Sequence, residues 1–195
     1  MPLPPAQPRK LMHTREVRCL GFERDDGLWD IEGTITDVKA YSFDNLDRGT
    51  IAAGTPLHEM RVRLTLDDDM VVKDIAAVTE YSPFRGCPEI ADGVRALIGE
   101  RVAAGWTRTV IEKLNGVKGC THIMQLILGP LATTAFQTIS PGLAKRKRDA
   151  GIKDDNTKKP LLADSCYGWA SDGDMMKRRF PMHYTGPDKL TPPSA

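Results

Sequence analysis

From Glu16 onward the chain alternates apolar and polar residues in short runs, the period-two signature of half-buried strands. Val17, Cys19 and Gly21 alternate with polar neighbours, and Asp25-Asp26-Gly27 supplies a tight turn. The next run, Leu28 to Phe43, puts Trp29, Ile31, Gly33 and Ile35 on one face and Asp30, Glu32, Thr34 and Thr36 on the other. Residues 44–56 (DNLDRGTIAAGTP) form a loop rich in Gly, Asp and Asn, long enough to suggest a function. A third strand follows, with Met60, Val62, Leu64 and Leu66 alternating with Arg61, Arg63 and Thr65. Asp67-Asp68-Asp69 turns the chain, and Met70 to Tyr81 returns as a fourth strand. Two successive hairpins predict an antiparallel sheet with one buried face.

After Ser82-Pro83-Phe84-Arg85-Gly86-Cys87-Pro88 the period changes. Ile90, Val94, Leu97 and Ile98 recur at helical spacing, with Pro88 suited to a first turn. A second helix is predicted from Trp106 to Leu114, stopped by Asn115-Gly116. A third starts near Cys120 and runs through Ile123, Leu126, Leu131 and Phe136, where Gly129-Pro130 should kink or split it. Strands first and helices afterwards indicate an α+β fold, with three or more helices packed on one sheet face. The predicted organisation is a flexible arm over residues 1–14, a core domain over 15–140, and a charged linker with a C-terminal extension over 141–195. The aromatic stretch LLADSCYGWASDG is expected to fold that extension back on the core.

Composition narrows the classes. The chain carries 27 Lys+Arg against 26 Asp+Glu, net +1, which argues against a dedicated nucleic-acid binder. No apolar run reaches the roughly 18 residues of a membrane span, and MPLPPAQPRK has no signal-like apolar region. A cytoplasmic protein is expected, with homodimerisation only as a general tendency of such chains. Its four cysteines form no CxxC, so reduced thiols or ligands are favoured over a disulfide framework.

Four segments could carry chemistry. In Gly119-Cys120-Thr121-His122 the cysteine opens a helix, where it could act as a thiolate nucleophile or metal ligand, with His122 in the first turn. The alternative is a Thr121 cap, a buried Cys120 and a locally bonded His122. Arg85 and Cys87 sit at a strand-to-helix junction, where Arg85 could bind an anion or simply decorate a turn. Cys87, Cys120 and His122, with His58, are zinc-competent ligands, though their spacing fits no recognised zinc pattern. His58 follows the long loop and suits a general base, while remaining open to an ordinary surface role. Asp30 and Glu32 share a strand face about 7 Å apart, within range for acid–base work, although such alternation also marks a solvated face. Tyr41, Arg48, Trp106, Tyr167 and Trp169 are candidates to line an aromatic pocket. There is no P-loop, GxGxxG, GxSxG or HExxH.

The ordered set RDDGLWDIEGTITD, RGTIAAGTPLHEMRVRLTLD, FRGCPEI, LNGVKGCTHIMQLI and ADSCYGW resembles a bacterial domain family of unknown function. That family shares a WDIEG strand, a PLH-x-M strand, a GCTH helix and a late D-x-C segment. The likeness spans roughly Arg15 to Tyr184 and implies an intracellular protein associated with breakdown of lignin-derived aromatics. The arrangement of the cysteines is also similar to that of iron–sulfur scaffold proteins, but Thr121-His122 follows the second cysteine and a third scaffold cysteine is missing.

The resemblance therefore implies a small-molecule enzyme of aromatic catabolism. Its expected reaction is cofactor-independent, retro-aldol-type loss of formaldehyde from a phenolic dimer. His58 and His122 are the expected acid–base groups, Asp30 or Glu32 their partners, and Arg48 or Arg85 the anion anchor. Two alternatives stand beside it: a metal- or iron–sulfur-handling accessory protein using Cys87, Cys120 and His122, and a non-catalytic binding subunit.

Overall fold

A computed structural model of the protein describes residues 3–152, 157–160 and 162–187. The chain is α+β and divides into two compact units, Met1–Leu143 and Ala144–Ala195. The first is built on an antiparallel sheet of β1 (His13–Glu23), β2 (Trp29–Lys39), β5 (Pro56–Leu66) and β6 (Val72–Tyr81), in that spatial order. Between β2 and β5 the long loop holds a hairpin of its own, β3 (Phe43–Asn45) and β4 (Gly49–Ile51). Three-residue strands carry too little alternation to stand out from a turn-rich loop.

Strand parity puts Trp29, Ile31 and Ile35 of β2 opposite Leu66, Leu64 and Met60 of β5, and all six are buried. Helical segments cover this face. Cys87–Leu97 is a 3-10 helix, not the α-helix its spacing suggested, and it buries Ala91, Val94 and Leu97. The chain then lies along the start of β6, where Gly99 N donates to Val72 O at 2.8 Å and Val72 N to Glu100 O at 2.8 Å. α1 (Trp106–Leu114) buries Trp106, Val110 and Leu114.

α2 (Thr121–Leu126) leads through a π-turn, Ile127–Leu131, into α3 (Ala132–Asp149). The cause is Pro130, which has no N–H and crowds the preceding carbonyl, so the helix widens by one residue there. Trp106 Nε1 donates to the Ile127 carbonyl inside this turn at 3.0 Å. Leu131 then drops onto Gly33, where an added Cβ would lie 2.9 Å from its Cδ2. The glycine of the WDIEG segment is thus one of the places where a side chain of the helical layer packs directly on the sheet backbone. α3 continues to Asp149, so residues 145–149 of the expected charged linker are helical. The sheet also starts earlier than expected, since His13 and Thr14 of the expected arm belong to β1.

The second unit contains a 3-10 turn at Tyr167–Trp169, α4 (Asp174–Arg179) and a second 3-10 turn at Pro181–His183. The aspartate of its D-x-C segment has a local structural task. Asp164 adopts φ 63° and accepts from Ser171 N at 2.8 Å and Ser171 Oγ at 2.7 Å. Its side chain thereby closes the loop around the Tyr167–Trp169 turn.

Candidate functional site

At one end of the covered sheet face the apolar rows stop and a polar row begins. Arg15 on β1 pairs in register with Asp37 on β2, and Asp37 with His58 on β5. Asp37 continues the series Trp29, Ile31, Gly33, Ile35, so its carboxylate points to the buried side and is 1% exposed. His58 likewise precedes Met60 by two residues. A β-bulge after Asp37 ends the regular pairing of β2 with β5, so the row lies at the close of the ladder.

His122, the second residue of α2, completes the group from above. Gly119 makes this descent feasible, because a Cβ there would overlap the Leu114 carbonyl oxygen. The His58 and His122 rings stack with centroids 3.9 Å apart and planes inclined by 28°.

Asp37 is enclosed by donors. Arg15 forks onto it, Nε to Oδ1 at 2.7 Å and Nη2 to Oδ2 at 2.6 Å, while Arg15 Nη1 donates to Gln125 Oε1 at 2.7 Å. His13 Nε2 meets Oδ1 at 3.1 Å and His58 Nδ1 meets Oδ2 at 3.1 Å. His122 Nε2 lies 3.4 Å from Oδ2, and its Nδ1 lies 3.9 Å from Cys120 Sγ. Burial would raise the Asp37 pKa, but the Arg15 hydrogen bonds and charge, with help from His13 and His58, outweigh it and hold it at about 2. An ionised carboxylate only accepts, so His58 Nδ1, hydrogen-bonded to it, carries the proton, and the carboxylate's charge favours the proton of His122 on the nearer Nε2. His58 Nε2 is then left with its lone pair.

Desolvation lowers the pKa of His58, reinforced by the neighbouring His122, while Asp37 pulls the other way. Desolvation also lowers His122, with Arg15 adding to it and Asp37 opposing. Both rings are therefore biased toward the neutral form at pH 7. All three depressed groups bind their proton more readily in the unfolded chain, so their contribution to stability is present at high pH and lost on acidification. The histidine share fades as pH falls below about 6.5, and the Asp37 share, about 2 kcal/mol, fades between pH 5 and pH 2. In chelator-treated protein the urea midpoint should fall in these two stages, and the second stage should be absent from Asp37→Asn.

Asp37, His58 and His122 are also the one group of potential metal ligands found among the described residues, with ligand atoms all within 4.8 Å of one another. Cys87, half-buried at the start of the 3-10 helix, is not in that group, and neither is Cys120.

The other candidates sit elsewhere. Asp30 and Glu32 face away from the histidines because their parity is opposite to that of Asp37. Asp30 instead accepts from Thr65 Oγ1 at 2.6 Å, and Glu32 pairs with Arg63 at 2.9 Å, so the carboxylate partner of the histidines is Asp37. Arg48 is a brace, donating from Nη1 to the Pro56 carbonyl at 2.9 Å, with its guanidinium 5.3 Å from the Tyr81 ring centroid. It fixes the strand start that carries His58. Arg85 is largely exposed, and its backbone N–H donates to Asp47 at 3.0 Å. Tyr41 packs edge-on to Phe43 at 6.2 Å beside Lys39. Trp106 is buried in the core with its N–H engaged, so it is not a pocket wall open to a ligand. Tyr167 and Trp169 belong to the second unit, where Tyr167 is exposed and Trp169 lies 6.2 Å from Phe180.

His13, Arg15, Asp37 and Gln125 were not among the sequence candidates. Parity was the available signal. Arg15, Asp37 and His58 each extend the inward-facing series of a strand by one step, all at the same end.

No helix among the described residues is long and apolar enough to cross a membrane. A protein-family model matches residues 13–137, which take in every member of this cluster, and the family is described as of unknown function. No curated protein and no solved structure matches the chain.

Proposed function

The chain belongs to the DUF2889 family of proteins of unknown function, and on that footing we propose that it is a small-molecule acid–base enzyme, a carbon–carbon lyase acting on a phenolic substrate. One observation carries the acid–base part: two imidazoles stack 3.9 Å apart beside a buried carboxylate. Asp37 fixes the His58 tautomer and leaves Nε2 as the base, while His122 and Cys120 form the neighbouring proton-transfer group. Arg15 and Gln125 hold the carboxylate in place and are positioning residues.

The substrate class follows from the family resemblance, not from the geometry. A diarylpropane-type dimer, Ar–CH(OH)–CH(Ar′)–CH2OH, would become Ar–CH=CH–Ar′ with release of formaldehyde and water. His58 Nε2 takes the hydroxymethyl proton, and the carbon–carbon bond breaks as formaldehyde forms. Its electron pair becomes the new double bond, and the benzylic hydroxide departs with a proton delivered from the His122 side. A para phenol assists that departure by pushing electrons toward the benzylic carbon. No redox change occurs, and no redox cofactor is required.

The test incubates the purified chain with phenolic dimers and their O-methylated counterparts, following formaldehyde and stilbene absorbance. Equal amounts of both products from the phenolic compounds alone are expected. No turnover across the panel contradicts the lyase reading.

A further inference from the structure

We propose that Asp37, His58 and His122 also form a binding site for one divalent transition ion of the zinc class, whose binding silences the proton transfer assigned to the two histidines. The silencing rests on the acid–base reading; the binding does not. Three side chains from three elements converge: Asp37 from β2, His58 from β5 and His122 from α2. Asp37 Oδ2 lies 3.1 Å from His58 Nδ1 and 3.4 Å from His122 Nε2. An ion with bonds of about 2.0–2.2 Å needs ligand atoms separated by about 2.8–3.6 Å, so both separations are edges of a tetrahedral or octahedral shell. Two imidazoles and one carboxylate select zinc, nickel, copper or ferrous iron over calcium or magnesium, which require oxygen shells.

Three protein ligands leave further positions for water, as in open sites. The surroundings supply support and opposition. His13 and Arg15 Nε bind the other carboxylate oxygen, Oδ1, and orient the group as outer partners do around metal ligands. Arg15 Nη2, however, donates to the same Oδ2 at 2.6 Å and brings a positive charge to the edge of the site. The ion must share that oxygen and take the ring nitrogens facing it, so each ring's proton moves to its other nitrogen, His58 Nε2 and His122 Nδ1. The His58 Nε2 lone pair is then lost, and binding is in exchange with the acid–base form. Occupied, the site no longer has two proton-carrying imidazoles facing Asp37.

The experiment uses the full chain after chelator treatment at pH 7. Zinc is titrated by calorimetry and cobalt by visible absorption, each without substrate, and formaldehyde release is then measured with and without zinc. One ion per chain is expected, weakened at least tenfold by His122→Ala and by Asp37→Asn, and tightened about tenfold by Arg15→Gln. The cobalt adduct should lack a thiolate charge-transfer band. Circular dichroism confirms that each variant is folded, and Arg15→Lys, which keeps the charge but loses the fork, should fall between wild type and Arg15→Gln. Absence of binding up to millimolar zinc, a thiolate band, or affinity indifferent to His122→Ala would overturn the site. Zinc bound there with turnover unaffected overturns the silencing. An ion bound as described in a chain that turns over no dimer leaves the site standing and removes the lyase reading, and turnover without ion binding does the reverse.

Discussion

His58→Ala and His122→Ala should each lower the rate of formaldehyde release by about 100- to 10,000-fold, the range spanned by a positioned acid or base. Neither change should unfold the chain. Both rings lie at the polar end of the covered sheet face, and each retains only partial burial, so truncation opens a space that water can fill. The double variant should be little slower than the worse single one, because two groups that act in one proton-transfer cycle fail together. Steady-state assays with a phenolic dimer, paired with thermal unfolding of each variant, check both halves. A tenfold or smaller loss from His58→Ala would remove it as the base.

The largest stability effect should come from Asp37. Asp37→Ala leaves Arg15, His13 and His58 without their common acceptor, and breaking a buried ion pair by removing one partner costs about 3–5 kcal/mol. The lower end is expected, since the Arg15 side chain is 36% exposed and can hydrate. Asp37→Asn separates shape from charge. It keeps an acceptor oxygen and the side-chain volume, so it should cost less in stability. It also replaces one acceptor with an NH2 donor that opposes a ring N–H, which turns the tautomer of the facing histidine. Activity should then fall on the order of 100-fold or more while the protein stays folded, as for other carboxylates that orient a catalytic imidazole. Urea denaturation and turnover, measured on both variants, distinguish the two effects. Equal losses of stability and activity in Asp37→Asn would assign Asp37 a purely structural task.

Much of the sheet was legible along the chain because a single buried face imposes strict alternation. Trp29 through Ile35 and Met60 through Leu66 have only one parity that buries their apolar side chains, and that parity is the one observed. Pro130 marked the break between α2 and α3 for the same kind of local reason. The site was harder to read. His58 and His122 are 64 residues apart in sequence, and nothing local places a loop-adjacent strand start beneath a helix start. Asp30 and Glu32 are paired carboxylates in the sequence, yet their opposite parity turns them to the other face. Asp37 is the informative exception. Its charge suggests a strand end, whereas its position, an even number of residues from Trp29, requires it to be buried, and a buried carboxylate needs partners. Those partners, Arg15 and His13, fell in and next to a stretch whose composition suggested a free arm. The Cys87–Leu97 helix shows another limit, because apolar spacing of three and four residues does not distinguish a 3-10 from an α-helix.

Whether Asp37 holds two neutral imidazoles side by side is read most directly by long-range nitrogen–proton NMR of the histidine rings in chelator-treated protein, titrated with pH. His58 should show its proton on Nδ1 and His122 on Nε2 at pH 7, and both should titrate below the ordinary histidine value of about 6.5. A His58 ring protonated on Nε2, or either ring titrating above that value, would contradict the proposed site.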